Sequence, residues 1–193
     1  MTTVVVPFAG SKGKTRLEAP RRMRRELSLA MLADVLAAAT VVGRTLVVTP
    51  DEEGAALARD LGAEPVADPG GGQGAAVGAA LVYADAPALV VNADVPCVTP
   101  ADLRALLDAV LPHGLALVEA LDGTTNALGL ADASLFEPLY GPDSAVRFLA
   151  LGVETVSVVI PNIADDIDTA ADLDRLQLRC GPRTQSVLAG LSR

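Results

Sequence analysis

The sequence predicts an α/β fold built on a mainly parallel, mixed sheet with helices on both faces. Three observations carry this reading. Short apolar runs suited to buried strands alternate with Ala/Leu-rich helical segments in the order β-α-β-α-β-α-β, which favours parallel strands joined by crossover helices. A strand-turn-strand pattern over residues 115–131 interrupts that alternation, so the sheet is expected to be mixed. The 193 residues suit one domain, with a core large enough to need neither disulfides nor a structural metal. We read 1–193 as a single domain ending in a short tail at about 180–193.

The elements follow in order. Thr3-Val4-Val5-Val6-Pro7 is the first strand, and an apolar helix is expected to start at Pro20 and close at Gly43. Residues 45–49 form the next strand, 52–61 a helix, and Glu64-Pro65-Val66-Ala67 a short strand. The loop Asp68-Pro69-Gly70-Gly71-Gly72-Gln73-Gly74 leads to a small-residue helix over 75–84 and a buried strand over 88–92. Thr99-Pro100-Ala101-Asp102 has the form of a capped helix start. Residues 115–121 and 127–131 read as strands around a turn at 122–126. Asp143 or Ser144 is expected to cap a helix ending at Gly152, its free amide groups pointing outward. A strand over 156–160 and a helix over 170–178 complete the pattern.

Charge is unevenly distributed. The formal net charge is -9, yet residues 1–25 hold seven of the fifteen basic residues against Glu18 alone. Three of the seven, Lys12, Lys14 and Arg16, lie in the glycine-bearing loop Gly10-Ser11-Lys12-Gly13-Lys14-Thr15-Arg16-Leu17 directly after the first strand. Glycine lets backbone approach a ligand closely, and clustered cations neutralise it. A focused patch on an acidic chain points to a small, highly charged anion such as a nucleoside triphosphate; nucleic acid would ask for a basic stripe. Gly13-Lys14-Thr15 imitates the end of a P-loop, but that motif needs a glycine where Phe8 stands. Arg21, Arg22, Arg24 and Arg25 sit at a helix start, where an anion would relieve them unless they form a solvated face.

Several classes are excluded. Cys97 and Cys180 lie far apart without a CxxC pattern, which suggests neither a disulfide framework nor a zinc site, and a reducing cytoplasm. His113 is the one histidine, so the usual general base is nearly absent. The apolar stretch 27–42 behind four arginines imitates a membrane anchor. The strand ahead of it and its central Asp34, costing on the order of 3 kcal/mol to insert, make it a buried helix.

Two acidic sites stand out. Asp94 follows the buried strand 88–92, at the carboxyl end where ligand crevices of parallel sheets form. Asp166 and Asp168 lie in Asp165-Asp166-Ile167-Asp168-Thr169, after the last strand. Carboxylates from two such positions can share one Mg²⁺, which binds through one or two carboxylates plus phosphate oxygens.

The series Lys14-Thr15-Arg16-Leu17, then 26–36, Asp68-Pro69-Gly70-Gly71-Gly72, Asn92-Ala93-Asp94-Val95-Pro96, Thr125-Asn126-Ala127-Leu128, Gly141-Pro142-Asp143-Ser144 and 166–173 resembles the guanylyltransferases that begin assembly of the deazaflavin coenzyme F-420. The resemblance spans nearly the whole chain. It implies a GT-A-like (Rossmann-like) nucleotidyltransferase fold and transfer of GMP from GTP to 2-phospho-L-lactate, phosphoenolpyruvate or a phosphoglycerate, with release of pyrophosphate. By position it implies Asp94, Asp168 and Lys14 as catalytic residues, and Asp94 and Asp168 as the ligands of Mg²⁺, with Asp166 as a substitute or second ligand. Ala9, Gly10, Lys12, Lys14, Arg16, Gly72 and Gly74 fall on the nucleotide side, and Thr125, Gly141 and Ser144 on the acceptor side. Two positions depart from the family: Phe8 replaces a lysine and Gly74 an asparagine, and Lys12 is the candidate to replace the missing cation. A molybdenum-cofactor or sugar-phosphate nucleotidyltransferase would share the loop and Asp94, and a degenerate nucleotide-binding module would fit Phe8 and Gly74. No membrane partner is expected; a homodimer is compatible with the reading.

Overall fold

The computed structural model describes residues 1–10 and 20–191. Strands β1 (Thr3–Pro7), β2 (Arg44–Thr49), β3 (Glu64–Ala67), β4 (Ala88–Val91), β5 (Leu115–Glu119), β6 (Thr125–Leu130) and β7 (Thr155–Ser157) form one sheet in the order β3-β2-β1-β4-β6-β5-β7. The first four are parallel. β6 runs antiparallel to both β4 and β5, and β7 returns parallel to β5. The mixed, mainly parallel α/β architecture expected from the alternation is therefore the one formed.

Helices α1 (Arg21–Val42), α2 (Glu52–Asp60), α3 (Gln73–Leu81) and α4 (Pro100–Asp108) precede α5 (Ser144–Leu149), α6 (Pro161–Ala164), α7 (Ala170–Leu176) and α8 (Pro182–Leu191). Side chains of a strand alternate between faces, and β1 shows where the two layers lie. Val4 and Val6 pack with Leu32 and Leu36 of α1, Ala58 of α2, Leu103 of α4 and Ile163 of α6. Val5 packs on the opposite face with Val77 of α3 and Phe148 of α5. Phe148 is fully buried, a contribution of about 2–3 kcal/mol from that side chain.

α1 begins after Pro20 and ends at Gly43, as its punctuation predicts. Among the described residues no helix is long and apolar enough to cross a membrane. Asp34, buried in the middle of α1, accepts hydrogen bonds from the backbone amides of Arg183 (3.1 Å) and Thr184 (2.8 Å), and so caps the start of α8. The residues read as a tail thus continue as a helix packed on α1. A methyl group at Gly181 would collide with the Asp34 carboxylate, so this junction needs glycine.

A third apolar cluster joins Leu27 and Met31 to Cys97, Ile167, Leu176 and Cys180. The two thiols, 83 positions apart, lie 4.0 Å from each other and are free and buried. The hydrogen bond between the two thiols and the charges of Arg179 and Arg175 lower the Cys97 pKa against the effect of burial. That same bond and burial push the Cys180 thiol up. Both thiols should resist a bulky aromatic disulfide reagent in the native protein and react on unfolding; a colorimetric thiol titration with and without denaturant checks this.

The later half corrects several expected boundaries. β6 starts at Thr125, inside the stretch read as a turn, and β7 stops at Ser157 because Pro161 opens α6 soon after. Neither candidate cap of α5 acts as one. Asp143 adopts a left-handed backbone (φ 55°) without a side-chain cap bond, and the Ser144 hydroxyl bonds elsewhere. The first amides of α5 do not all point outward either. Ser144 N–H donates to the Gly141 carbonyl and Ala145 N–H to that of Gly123.

Candidate active site

The carboxyl ends of β1 and β4 open onto a crevice, as parallel sheets dictate. Its first cavity, of about 380 Å³, is lined by Phe8, Ala9, Gly10, Gly72, Asp94 and Asp168 among others. Gly10 has φ +69°, and a side chain there would crowd Asp51 Oδ2 at 2.9 Å, so only glycine suits the exit from β1. The run Gly70, Gly71, Gly72 has φ values of 78°, 92° and 92°. Three such residues in succession require glycine, and they keep the entry to α3 free of side chains. Lys12, Lys14 and Arg16 lie outside the described residues.

Gly74 does not line either cavity; it packs against Pro138, with only 2.7 Å from an added methyl group to Pro138 Cβ. A larger residue at this position would require Pro138 to shift. Two of the arginines that open α1 also find protein partners. Arg22 pairs with Glu26, while Arg25 bridges Asp51 and Glu53, tying α1 to the start of α2.

Asp94, Asp166 and Asp168, all half-buried, each offer one carboxylate oxygen, and these oxygens lie within 4.8 Å of one another. The hydrogen bond from Ile167 N–H to the Asp94 carbonyl (3.0 Å) joins the two segments that carry them. An all-carboxylate set of hard oxygen donors, without His or Cys, fits Mg²⁺ rather than zinc. Asp165, next in the chain, plays a different part. It is buried and held by Arg175 (2.5 Å) and Arg179 (2.7 Å), while Asp172 closes the capping box of α7 with Thr169. Burial acts to raise the Asp165 pKa, but the hydrogen bonds and charges of the two arginines outweigh it and hold the carboxyl below its ordinary range.

A second cavity, of about 570 Å³, lies beside the first and is lined by Thr125, Gly141, Ser144, Tyr140 and the three carboxylates. Ser144 Oγ donates to Thr125 Oγ1 (3.0 Å), so the two predicted acceptor-side hydroxyls are joined although 19 positions apart. Gly141 has φ 114°, closed to side-chain-bearing residues, and its neighbours Tyr140 and Pro142 have their carbonyls held by Arg147. Burial pushes the Tyr140 hydroxyl up, leaving it neutral.

Three amide side chains escaped the sequence reading. Gln73 and Asn92 line both cavities, and Gln73 Nε2 donates to Asn92 Oδ1 at 2.6 Å. Asn92 Nδ2 in turn donates to Asn126 Oδ1 at 3.2 Å, and Asn126 is almost wholly buried. Asn92 follows the apolar strand run 88–91, and Asn126 lies in the stretch read as a turn, so no local pattern marked either.

Known proteins resemble the chain in sequence and in fold. Residues 9–150 fit the family model of the MobA-like NTP transferase domain. The chain is 38% identical to a phosphoenolpyruvate guanylyltransferase of Nocardia farcinica, over 93% of this chain and 85% of that protein. It is also 38% identical to one of Streptomyces coelicolor, over 98% and 96% respectively. Solved structures share the fold at low identity. A nucleotidyl transferase from Methanothermobacter superposes with a TM-score of 0.64 at 18% identity, covering 98% of this chain and 99% of that one. A protein of Desulfovibrio desulfuricans assigned as a nucleotide-diphospho-sugar transferase reaches 0.77 at 16% identity, covering 98% and 94%. The crevice at the β1 and β4 ends, the carboxylate cluster and these relatives together make the chain a nucleotidyltransferase of the MobA-like NTP transferase family, in the group of the phosphoenolpyruvate guanylyltransferases.

Proposed function

We propose that the protein transfers GMP from GTP to the phosphate of a small three-carbon acid, phosphoenolpyruvate foremost, and releases pyrophosphate as a step toward the deazaflavin coenzyme F-420. One observation carries the two-substrate reading: Gln73, Asn92, Asp94 and Asp168 line both cavities. Two anions placed in those cavities therefore meet over the carboxylate cluster. The names of the Nocardia and Streptomyces relatives support the choice of nucleotide and acid.

Asp94 and Asp168, with Asp166, would hold Mg²⁺. Bound there, it would neutralise charge gathering on the reacting and departing phosphates. The remaining work is alignment. Gly10 and Gly72 leave room for the triphosphate backbone, with Lys12, Lys14 and Arg16 as its cations. The Thr125–Ser144 pair and the loop at Gly141 orient the acceptor. An oxygen of the acceptor phosphate attacks the α-phosphorus of GTP as the bond to the bridging oxygen breaks, and pyrophosphate leaves. An acceptor phosphate carries nearly two negative charges near neutral pH, so its oxygen needs no general base. That accounts for a site without histidine, where positioning and charge stabilisation supply the acceleration.

The test incubates the protein with each NTP, Mg²⁺ and each acid in turn and measures pyrophosphate. Release is expected with GTP and phosphoenolpyruvate. GTP binding without release in the presence of any of the acids would instead mark a non-catalytic binding module. Ser144→Ala is expected to raise the KM for the acid about tenfold, the worth of one hydrogen bond to a charged group, while leaving that for GTP within about twofold. Steady-state kinetics with each substrate varied in turn checks it.

A further inference from the structure

The three carboxylates come from segments more than 70 positions apart, so something must set the distance between them. One contact is the backbone bond from Ile167 to Asp94, and Ile167 is anchored in the apolar cluster around Met31 and Leu176. A second is a side chain. Asn126 sits on β6, beside β4, and is 2% exposed. Its amide group donates to the carbonyls of Ile163 (2.9 Å) and Ala164 (3.3 Å), at the end of α6 and directly ahead of the acidic segment 165–168. Helix-end carbonyls have no partner within their own helix, so this side chain satisfies groups that would otherwise be left over. Its Oδ1 accepts from Asn92, two residues before Asp94. The Asn92 backbone amide also donates to the Asn126 carbonyl at 2.9 Å. The opposite orientation of the Asn126 amide would set oxygen against two carbonyl oxygens, so the network itself determines which way the group points.

We propose that Asn126 is a positioning residue: by bridging the end of β4 to the end of α6 it sets the separation of Asp94 from Asp166 and Asp168, and with it the affinity of the site for a divalent cation. This rests on the metal reading of the three carboxylates. A buried asparagine that only filled space or closed helix ends would influence stability without influencing that affinity in particular. Side chains that orient metal ligands typically change affinity 10- to 100-fold when removed.

The experiment titrates the full chain with Mn²⁺ alone, followed by the electron paramagnetic resonance signal of the free ion. Thermal melts are recorded alongside, and the kinetics are taken as a function of Mg²⁺. Asn126→Ala is expected to weaken Mn²⁺ binding about tenfold or more. It should raise the Mg²⁺ concentration for half-maximal rate by a similar factor, while kcat at saturating Mg²⁺ stays within about threefold. Asn126→Asp keeps shape and volume but removes the donors to Ile163 and Ala164. It should show the same split, which keeps the test alive if the alanine variant does not fold. Asn162→Ala is the control, because Asn162 holds α6 from its other side through Asp102 and Arg179. It should leave Mn²⁺ affinity within about twofold. Equal weakening by Asn162→Ala at an equal loss of melting temperature would reduce the effect to general loosening and overturn the proposal. Unchanged Mn²⁺ affinity in folded Asn126 variants would do the same. Asp94→Ala separates this from the parent reading: if it binds Mn²⁺ like the wild type, the metal site itself is wrong, whereas loss there with none in the Asn126 variants defeats only the positioning role.

Discussion

Asp94→Ala is expected to lower GMP transfer by at least about a thousandfold, equivalent to about 4 kcal/mol of lost transition-state stabilisation. The size follows from where the side chain stands. Asp94 lines both cavities and is one of the three carboxylates that converge within 4.8 Å. On the proposed function, its removal would deprive a dense cluster of phosphate charge of both a metal ligand and the alignment of donor with acceptor. The fold should survive, because the Asp94 backbone carbonyl still accepts from Ile167 and the neighbouring Val95 stays fully buried. Asp94→Asn keeps the shape and removes the charge, and a similar loss is expected. The two partners should differ from each other. Asp168 lines both cavities whereas Asp166 lines only the second, so Asp168→Ala should cost more activity than Asp166→Ala. Coupled pyrophosphate detection with matched circular dichroism melts decides these points. Near-normal transfer by a folded Asp94→Ala protein would end the assignment.

The parallel half of the fold was readable because its signals are local. α1 spans Arg21–Val42 because Pro20 sets the backbone ahead of its first turn and Gly43, packed against the Thr2 carbonyl, leaves no room for a side chain after its last. Asp94 was readable for a related reason: a carboxylate directly after a buried strand has little structural purpose other than to face the crevice. What stayed hidden depends on contacts between distant segments. Thr125 and Asn126 are polar and read as turn, yet both are buried in β6, because Ser144 and the end of α6 satisfy them. No local pattern reveals a partner 19 or 37 positions away. The same holds for Asp34, whose partners at the start of α8 lie about 150 positions on, and for the two thiols that meet in one cluster. Asp165 shows the converse. In the sequence it is one of three similar acids, and the two arginines on α7 and beyond set it apart as an anchor from the acids that converge with Asp94.

That anchor carries the second large effect. Asp165→Asn is expected to lower stability at neutral pH by about 2 kcal/mol, which the partial exposure of Arg175 and Arg179 places below the 3–5 kcal/mol typical of fully buried pairs. The sign with pH follows from the depressed pKa. Because the folded state holds the Asp165 carboxyl below its ordinary 3.8, its contribution is complete above that value and fades as pH falls through the lower folded pKa. The gap between wild type and variant should therefore be constant from pH 8 to about 5 and narrow on further acidification, as urea unfolding at a series of pH values will show. A gap that stayed constant down to the acid transition would assign the loss to packing instead of charge. The functional consequence has its own signature. Asp165 immediately precedes Asp166, so releasing it loosens the acidic segment while Asn126 still grips the carbonyls of Ile163 and Ala164 behind it. Turnover at saturating Mg²⁺ should then fall far less than in Asp94→Ala, since every group that touches the substrates remains in place.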